Sequence, residues 1–413
     1  MSSLQPVRGT HDLLPEDSRR HRRVEAVAFE VAKRYGFGEI ITPIFEFTEV
    51  FSRTLGDTSD VVTKEMYSFL DRGEESITLR PEGTAGVARA FISGGLSQHL
   101  PLKLFYRGPM FRYERPQKGR QRQFHQVGAE LLGVEGPQAD IEVIAMGMHL
   151  LESLGLKGKV QLELNSLGDT ESRNAYREAL VAYLSQHKDK LSKDSLDRLE
   201  RNPMRVLDSK DEGDKAIVAD APLLSDYLNE ASRTFFETVK AGLTAVGVPF
   251  VHNPKLVRGL DYYSHTAFEF TTTELGSQGT VLAGGRYDGL ISQMGGPVTP
   301  GIGWAAGVER LSMLLDEVPD EARPIAVIPM GDCGTKALEL AQRLRRDGFT
   351  VELGYSGNMK KRMARANKAN ARAALILGED ELARGAVALR DLDSGEQVEV
   401  ALTELDTHLA RFR

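Results

Sequence analysis

The sequence predicts an α+β domain built on an antiparallel sheet and interrupted by a helical insertion, followed by a C-terminal α/β domain. Three stretches carry that reading. Strand-like runs over 104–114 and 124–131 flank a loop holding Pro116 and Gly119, the pattern of an antiparallel hairpin. From about 170 to 245 the pattern is helical and charged, with no strand of comparable strength. Beyond Arg323-Pro324, apolar strands alternate with helices in βαβαβ order, which implies a small parallel sheet with right-handed crossovers. The expected domains are 1–322 and 323–413.

Composition narrows the class. A chain of 413 residues has room for two or three cores, and 27% charged against 41% hydrophobic residues is the balance of a soluble globular protein. No apolar run approaches the ~20 residues of a membrane span, and residues 1–20 lack the apolar core of a signal peptide. A cytoplasmic location is the expectation. The single cysteine, Cys333, excludes an internal disulfide and a cysteine-rich zinc site. No dedicated metal site is expected. Net charge is −7, but residues 323–413 carry 15 Lys/Arg against 13 Asp/Glu, so the remainder stands at −9. An acidic body with local basic patches fits an enzyme that meets a polyanion at defined places.

Taken in order, residues 8–15 are turn-rich, and a helix is predicted from 16 to about 35. Val24, Val27, Ala28 and Val31 recur at helical spacing and Gly36 ends it. Residues 39–46 read as a strand that Pro43 confines to an edge or an interface. Runs at 66–70 and 77–80 pair as a further hairpin. Arg80-Pro81-Glu82-Gly83-Thr84 leads into a helix with Thr84 as N-cap. In the central hairpin, Arg112 and Glu114 project to one face of the first strand, and Gln126, Gly128 and Glu130 share a face of the second. That mixture makes a poor core and a plausible pocket floor; a solvated hairpin with a charged tip is the alternative. Arg112, Arg115, Lys118, Arg120 and Arg122 crowd the turn against one nearby acid, Glu114.

A helix over 139–154 and an alternating strand over 160–165 precede the helical insertion. An alternating run follows at 266–270, and the stretch 282–290 comes after another turn. Gly301-Ile302-Gly303-Trp304-Ala305-Ala306-Gly307 fails as a dinucleotide fingerprint, because its spacing is GxGxxxG and no ribose-binding acid frames it. In the C-terminal domain, Lys361, Arg365, Lys368 and Arg372 fall on one helical face, either solvated or in contact with phosphates.

The stretch RGPMFRYERPQKGRQRQFHQ (107–126) resembles motif 2 of class II aminoacyl-tRNA synthetases, in the version found in the histidyl-tRNA synthetase family. Residues 16–46 are similar to motif 1, which implies a homodimer, and 301–311 to motif 3, a strand running into a helix. Val257-Arg258-Gly259-Leu260-Asp261-Tyr262-Tyr263 and Leu282-Ala283-Gly284-Gly285-Arg286-Tyr287 match the two peptides peculiar to that family. The C-terminal domain looks like the anticodon-binding domain shared with the glycyl, threonyl and prolyl enzymes.

The resemblance implies ATP-dependent ligation of L-histidine to tRNA(His) through a histidyl-adenylate. Its implied partners are ATP, with Mg2+ carried by the phosphates. Arg112 and Arg258 would neutralise the α-phosphate as catalytic groups, Arg310 would hold the γ-phosphate, and Glu114 would lie near the nucleotide. Glu82, Thr84 and Gln126 would bind the α-amino group. Glu130 and Tyr263 would hold the imidazole, with Tyr262 and Tyr287 closing the pocket. Arg115, Gln117, Arg120 and Arg122 would meet the acceptor end of tRNA. The alternatives are a regulatory paralogue from histidine biosynthesis without aminoacylation, a ligase for another amino acid, and a plain RNA-binding protein.

Overall fold

The computed structural model describes residues 4–55, 59, 61–209, 211–257, 262–276, 279–319 and 321–412. The chain divides into two compact units, Met1–Val318 and Pro319–Arg413, a few residues before the break expected at 322/323.

The first unit opens with α1 (Pro15–Arg34), β1 (Gly38–Glu39), β2 (Phe45–Phe47), α2 (Thr48–Leu55), β3 (Tyr67–Leu70), β4 (Ser76–Leu79) and α3 (Thr84–Ser93). The hairpin β5 (Leu102–Phe111) and β6 (Gln123–Leu132) follows, then α4 (Gln138–Ser153) and β7 (Gln161–Ser166). The insertion holds α5 (Thr170–Ser185), α6 (Lys193–Arg201), α7 (Glu212–Ala219) and α8 (Glu230–Ala245). Then come β8 (Val251–His252), β9 (Ser264–Thr271), β10 (Thr280–Arg286), α9 (Leu290–Gln293), β11 (Gly301–Gly307) and α10 (Val308–Leu314).

Eight strands form one sheet in the order β1-β5-β6-β11-β10-β9-β7-β8. The six inner strands are antiparallel to their neighbours, and the two-residue strands at each edge add parallel pairs. The sheet is therefore mixed, with an antiparallel body. Packed on it is a core in which α1 contributes Val24, Val27, Ala28, Val31 and Ala32 and α4 contributes Val143, Ile144, Leu150 and Leu151. At ~1.5–3 kcal/mol for each fully buried large aliphatic side chain, this stripe rather than helix propensity holds α1 in place. A second core joins α2, α3, α5 and α9 to Tyr262, Tyr263 and Tyr287.

Three expectations need correction in this unit. Residues 39–46 do not form one strand: β1 pairs with β5, whereas β2 belongs to a separate three-stranded sheet in the order β2-β4-β3. Pro43 supplies no donor there, and the Arg80 guanidinium satisfies the carbonyl of Thr42 at 3.0 Å. Thr84 is the first residue of α3 rather than its cap; the Glu82 carboxylate accepts from the Thr84 and Ala85 amides, both at 2.7 Å. β5 ends at Phe111, so Arg112 and Glu114 lie beyond the strand, although the Arg112 amide still donates to Arg122 O at 2.9 Å.

The second unit contains β12 (Ile325–Pro329), α11 (Gly334–Arg346), β13 (Val351–Leu353), α12 (Met359–Lys368), β14 (Ala373–Leu377), α13 (Glu379–Ala383), β15 (Ala386–Asp391), β16 (Gln397–Ala401) and α14 (Leu405–Leu409). β12 is parallel to both β13 and β14, as the βαβαβ pattern requires, and an antiparallel hairpin, β15 and β16, extends the sheet. α12 stops at Lys368, so Arg372 leaves the expected basic face and sits over the Phe412 ring at 5.6 Å.

Candidate active site

The hairpin β5–β6 and its neighbour β11 place a carboxylate in the middle of a sheet. Glu130 on β6 lies opposite Leu104 on β5 and Gly303 on β11. It is 1% exposed, accepts from Thr84 Oγ1 at 2.7 Å and forms a short hydrogen bond with the Tyr287 hydroxyl. The space it occupies depends on glycine: a Cβ on Gly303 would collide with the Glu130 carboxylate, and one on Gly301 would collide with the Tyr287 ring. Burial raises the Glu130 pKa to about 8, against the lowering effect of the Tyr287 and Thr84 hydroxyls. Close to neutral pH, this group is poised between charged and neutral forms.

Glu82 sits beside it, 5% exposed, with both oxygens on the first amides of α3. Burial raises its pKa, and those amides and Arg112 oppose the rise. Tyr262 and Tyr263 pack with ring centroids 4.5 Å apart, and Tyr262 meets Tyr287 edge-on at 5.8 Å. All three rings are buried and line the same cavity as Glu82, Thr84 and Gln126. The Gln126 Oε1 is buried with no hydrogen-bond partner among the described residues. An unsatisfied buried acceptor costs ~1–3 kcal/mol, which a donor on a ligand would recover. This end of the cavity presents the Glu82 carboxylate, an amide oxygen and phenols, with Glu130 bonded to two of its lining hydroxyls, a set suited to a compact ligand with several N–H groups.

The other end is cationic. Arg112, Arg120 and Arg310 line it, together with Glu114 and Glu269. Arg112 Nε donates to Pro81 O at 2.8 Å, and its guanidinium stands 5.4 Å from the Phe124 ring centroid. Arg310, three residues into α10, donates to Gly119 O at 3.0 Å and to Thr280 O at 2.7 Å. Its pKa is lowered by burial and then by Arg120 and Arg112. Guanidinium groups forced together in this way attract a polyanion with phosphate geometry. Arg258 lies outside the described residues, as does Asp261.

The hairpin tip separates into two environments. Arg115, Gln117 and Lys118 are exposed. Arg120 turns inward and pairs with Glu114 at 2.5 Å, and Arg122 lies 3.7 Å over the Tyr113 ring and donates to Glu114 O at 3.2 Å. Arg120 therefore joins the cavity wall as well as the tip. Sequence reasoning did not single out Glu269 or Thr280, which bond to each other at 2.9 Å. Glu269 falls in the alternating run 266–270, but nothing there marked the cavity side, and Thr280 lies outside every stretch the sequence predicts as a strand.

The family model described as Histidyl-tRNA synthetase matches residues 9–311, and that described as Anticodon binding domain matches residues 324–411. A Histidine--tRNA ligase of Rhodospirillum rubrum is 69% identical, covering 100% of both chains. One of Gluconacetobacter diazotrophicus is 59% identical, covering 99% of both. Among solved structures, apo S. aureus histidyl-tRNA synthetase superposes with a TM-score of 0.82 at 37% identity, covering 98% of this chain and 99% of that one. An ATP phosphoribosyltransferase regulatory subunit/histidyl-tRNA synthetase from Bacillus halodurans C gives 0.67 at 22% identity, covering 91% and 98%, a likeness of fold alone.

Proposed function

The chain belongs to the histidyl-tRNA synthetase family, and from that membership and the two-ended cavity we infer that it ligates L-histidine to tRNA(His) through a histidyl-adenylate. The single observation that carries the reading is one continuous cavity joining the Glu82, Thr84 and tyrosine end, with Glu130 hydrogen-bonded behind Thr84 and Tyr287, to the Arg112 and Arg310 end. In-line attack of the histidine carboxylate on the α-phosphate builds negative charge on non-bridging oxygens. Arg112 neutralises that charge, and Arg310 holds the far phosphate. Arg258 is assigned the opposite side of the α-phosphate on its match to the family peptide. Glu130 accepts from one imidazole N–H and Tyr263 complements the other nitrogen. Glu82, Thr84 and Gln126 take the α-amino group.

ATP enters with Mg2+. Glu114 and Glu269 are the oxygen donors that fit such an ion at the phosphate end, where it would offset phosphate charge. Arg115, Gln117, Arg120 and Arg122 face the acceptor end of the tRNA, and the C-terminal unit takes the anticodon. The regulatory-subunit reading is weaker, since that comparison reaches only the fold.

We also infer a homodimer, working in the cytoplasm. In the three-stranded sheet, Phe47 and Phe69 both pair with Ile77, one row of an apolar face. Phe45, Phe47 and Phe69 are each about half exposed, while the opposite face holds the buried Glu46 and Thr78. A sheet with its apolar side outward calls for a second surface to cover it. No described helix is long and apolar enough to cross a membrane.

The test of this reading is charging of a tRNA(His) transcript with labelled histidine. Charging is expected from the wild type and at least ~100-fold less from Arg258→Ala; a wild type that binds histidine but neither forms histidyl-adenylate nor charges tRNA would leave only the binding reading.

A further inference from the structure

At the wall of the phosphate end of the cavity, which Glu309 itself lines, three elements distant in sequence bring a second set of donors together. His21 lies on α1, His125 on β6 and Glu309 at the second position of α10, with one ligating atom of each within 4.8 Å of the others. Among the described residues this is the one cluster of three or more His, Cys, Asp and Glu side chains with metal-binding spacing. His21 occupies the apolar stripe of α1, three residues before Val24, and is 8% exposed. Its Nδ1 is buried with no hydrogen-bond partner among the described residues, an arrangement that costs ~1–3 kcal/mol unless something binds it. The His21 and His125 rings meet edge to face with centroids 5.5 Å apart. Glu309 accepts from the His125 amide at 2.9 and 3.0 Å, and the His125 Nδ1 lies 2.9 Å from Glu309 Oε1. The carboxylate thus fixes both the backbone and the ring of His125. A side cavity reaches the cluster from the surface, lined by Asp17, His21, Glu309 and Ser312, and the Ser312 Oγ is likewise buried with no partner among the described residues.

We propose that His21, His125 and Glu309 form a Zn2+ site that ties α1, β6 and α10 together between the side cavity and the nucleotide end of the active site, both of which Glu309 lines. Two imidazoles and one carboxylate are a donor set that suits Zn2+ and leaves a fourth position for water. Bonds of ~2.0–2.2 Å require the three donors to draw inward by roughly 1 Å, a movement that side-chain rotation supplies. Water in the fourth position would reach the side cavity and the Ser312 hydroxyl. The Arg20 guanidinium also lines that cavity, but its NH1 is directed at the carbonyls of Leu315, 2.9 Å away, and Ser312, 3.3 Å away. This assignment departs from the expectation of no dedicated metal site. It is independent of the Mg2+ that accompanies ATP, because an Mg2+ site is built from oxygen donors.

The test is calorimetric titration of ZnCl2 into the chelator-treated full-length wild type and into His21→Gln and His125→Gln. Co2+ is then added to each protein and its visible absorption recorded, and thermal melting is followed with and without Zn2+. The site predicts one Zn2+ per chain, a Co2+ spectrum of four-coordinate nitrogen and oxygen ligation, and a higher melting temperature with metal. Each variant should weaken binding at least ~100-fold and lose the Zn2+-dependent melting shift. Absence of saturable binding in the wild type overturns the proposal. So does equal affinity in wild type and both variants, which would mark adventitious surface binding. A variant that fails to fold is visible in its metal-free melting curve, and the wild-type stoichiometry and Co2+ spectrum then decide alone.

Discussion

Glu130 can be buried because two hydroxyls and a missing Cβ make a place for it. Its raised pKa, about 8, means that the empty protein holds a proton there which the unfolded chain releases near the ordinary carboxylate range. The stability penalty is absent at low pH, grows as pH rises from about 4.5, and levels off above about 8. Glu130→Gln removes the ionisable group while keeping its shape. It is therefore expected to raise the stability of the empty protein by roughly 4 kcal/mol at pH 8, with little change at pH 4.5. The same variant should lose histidine binding in calorimetry, because the imidazole N–H then meets an amide instead of a carboxylate. A variant that is no more stable at pH 8, or that binds histidine as tightly as wild type, would contradict this account of the residue.

At the scale of the element, the insertion hangs on one buried aspartate. Asp214 on α7 accepts from the Ser192 amide at 2.8 Å and from the hydroxyls of Ser192, Ser195 and Ser209 at 2.7, 2.6 and 2.6 Å. It is fully buried, and these hydrogen bonds to the charged form overcome desolvation and hold its pKa at about 2. A depressed carboxylate stabilises fully above its unfolded pKa near 4 and loses that contribution as pH falls toward 2. Asp214→Ala should cost ~2–4 kcal/mol at pH 7 by urea unfolding, and the gap to wild type should narrow between pH 4 and pH 2. A gap that stays constant with pH would mean that the charge is irrelevant and only packing was lost.

The elements also show what could be read beforehand. The β5–β6 hairpin was legible because alternation and a Pro/Gly turn agree with each other. The strand over 39–46 was not, since local alternation cannot reveal that the two sides of Pro43 join different sheets. α12 was drawn too long because no glycine follows it; Asn370 supplies the left-handed residue instead, with φ of 52°. β15 and β16 went unread although Asp393-Ser394-Gly395 marks a turn between them. In the site, Glu82, Thr84, Glu130, Tyr262, Tyr263 and Tyr287 were named through the family resemblance, and periodicity alone would have left the tyrosines as sheet residues. Glu269 and His21 escaped because their meaning depends on which face of an element meets a cavity.

For the whole molecule, an apolar sheet face turned to solvent and a two-ended cavity make separate demands. Phe47 and Phe69 would each contribute ~1.5–3 kcal/mol when covered by a second copy. Phe47→Asp combined with Phe69→Asp is expected to convert a dimer to a monomer in sedimentation velocity, and a wild type that sediments as a monomer would remove that inference.

The cavity itself is tested most directly by ATP–pyrophosphate exchange with each of the twenty amino acids in turn. A pocket whose buried acceptors must be met by an imidazole should support exchange with histidine and reject the others by roughly 10⁴-fold or more. Exchange of comparable rate with any other amino acid, or none with histidine, would contradict the account.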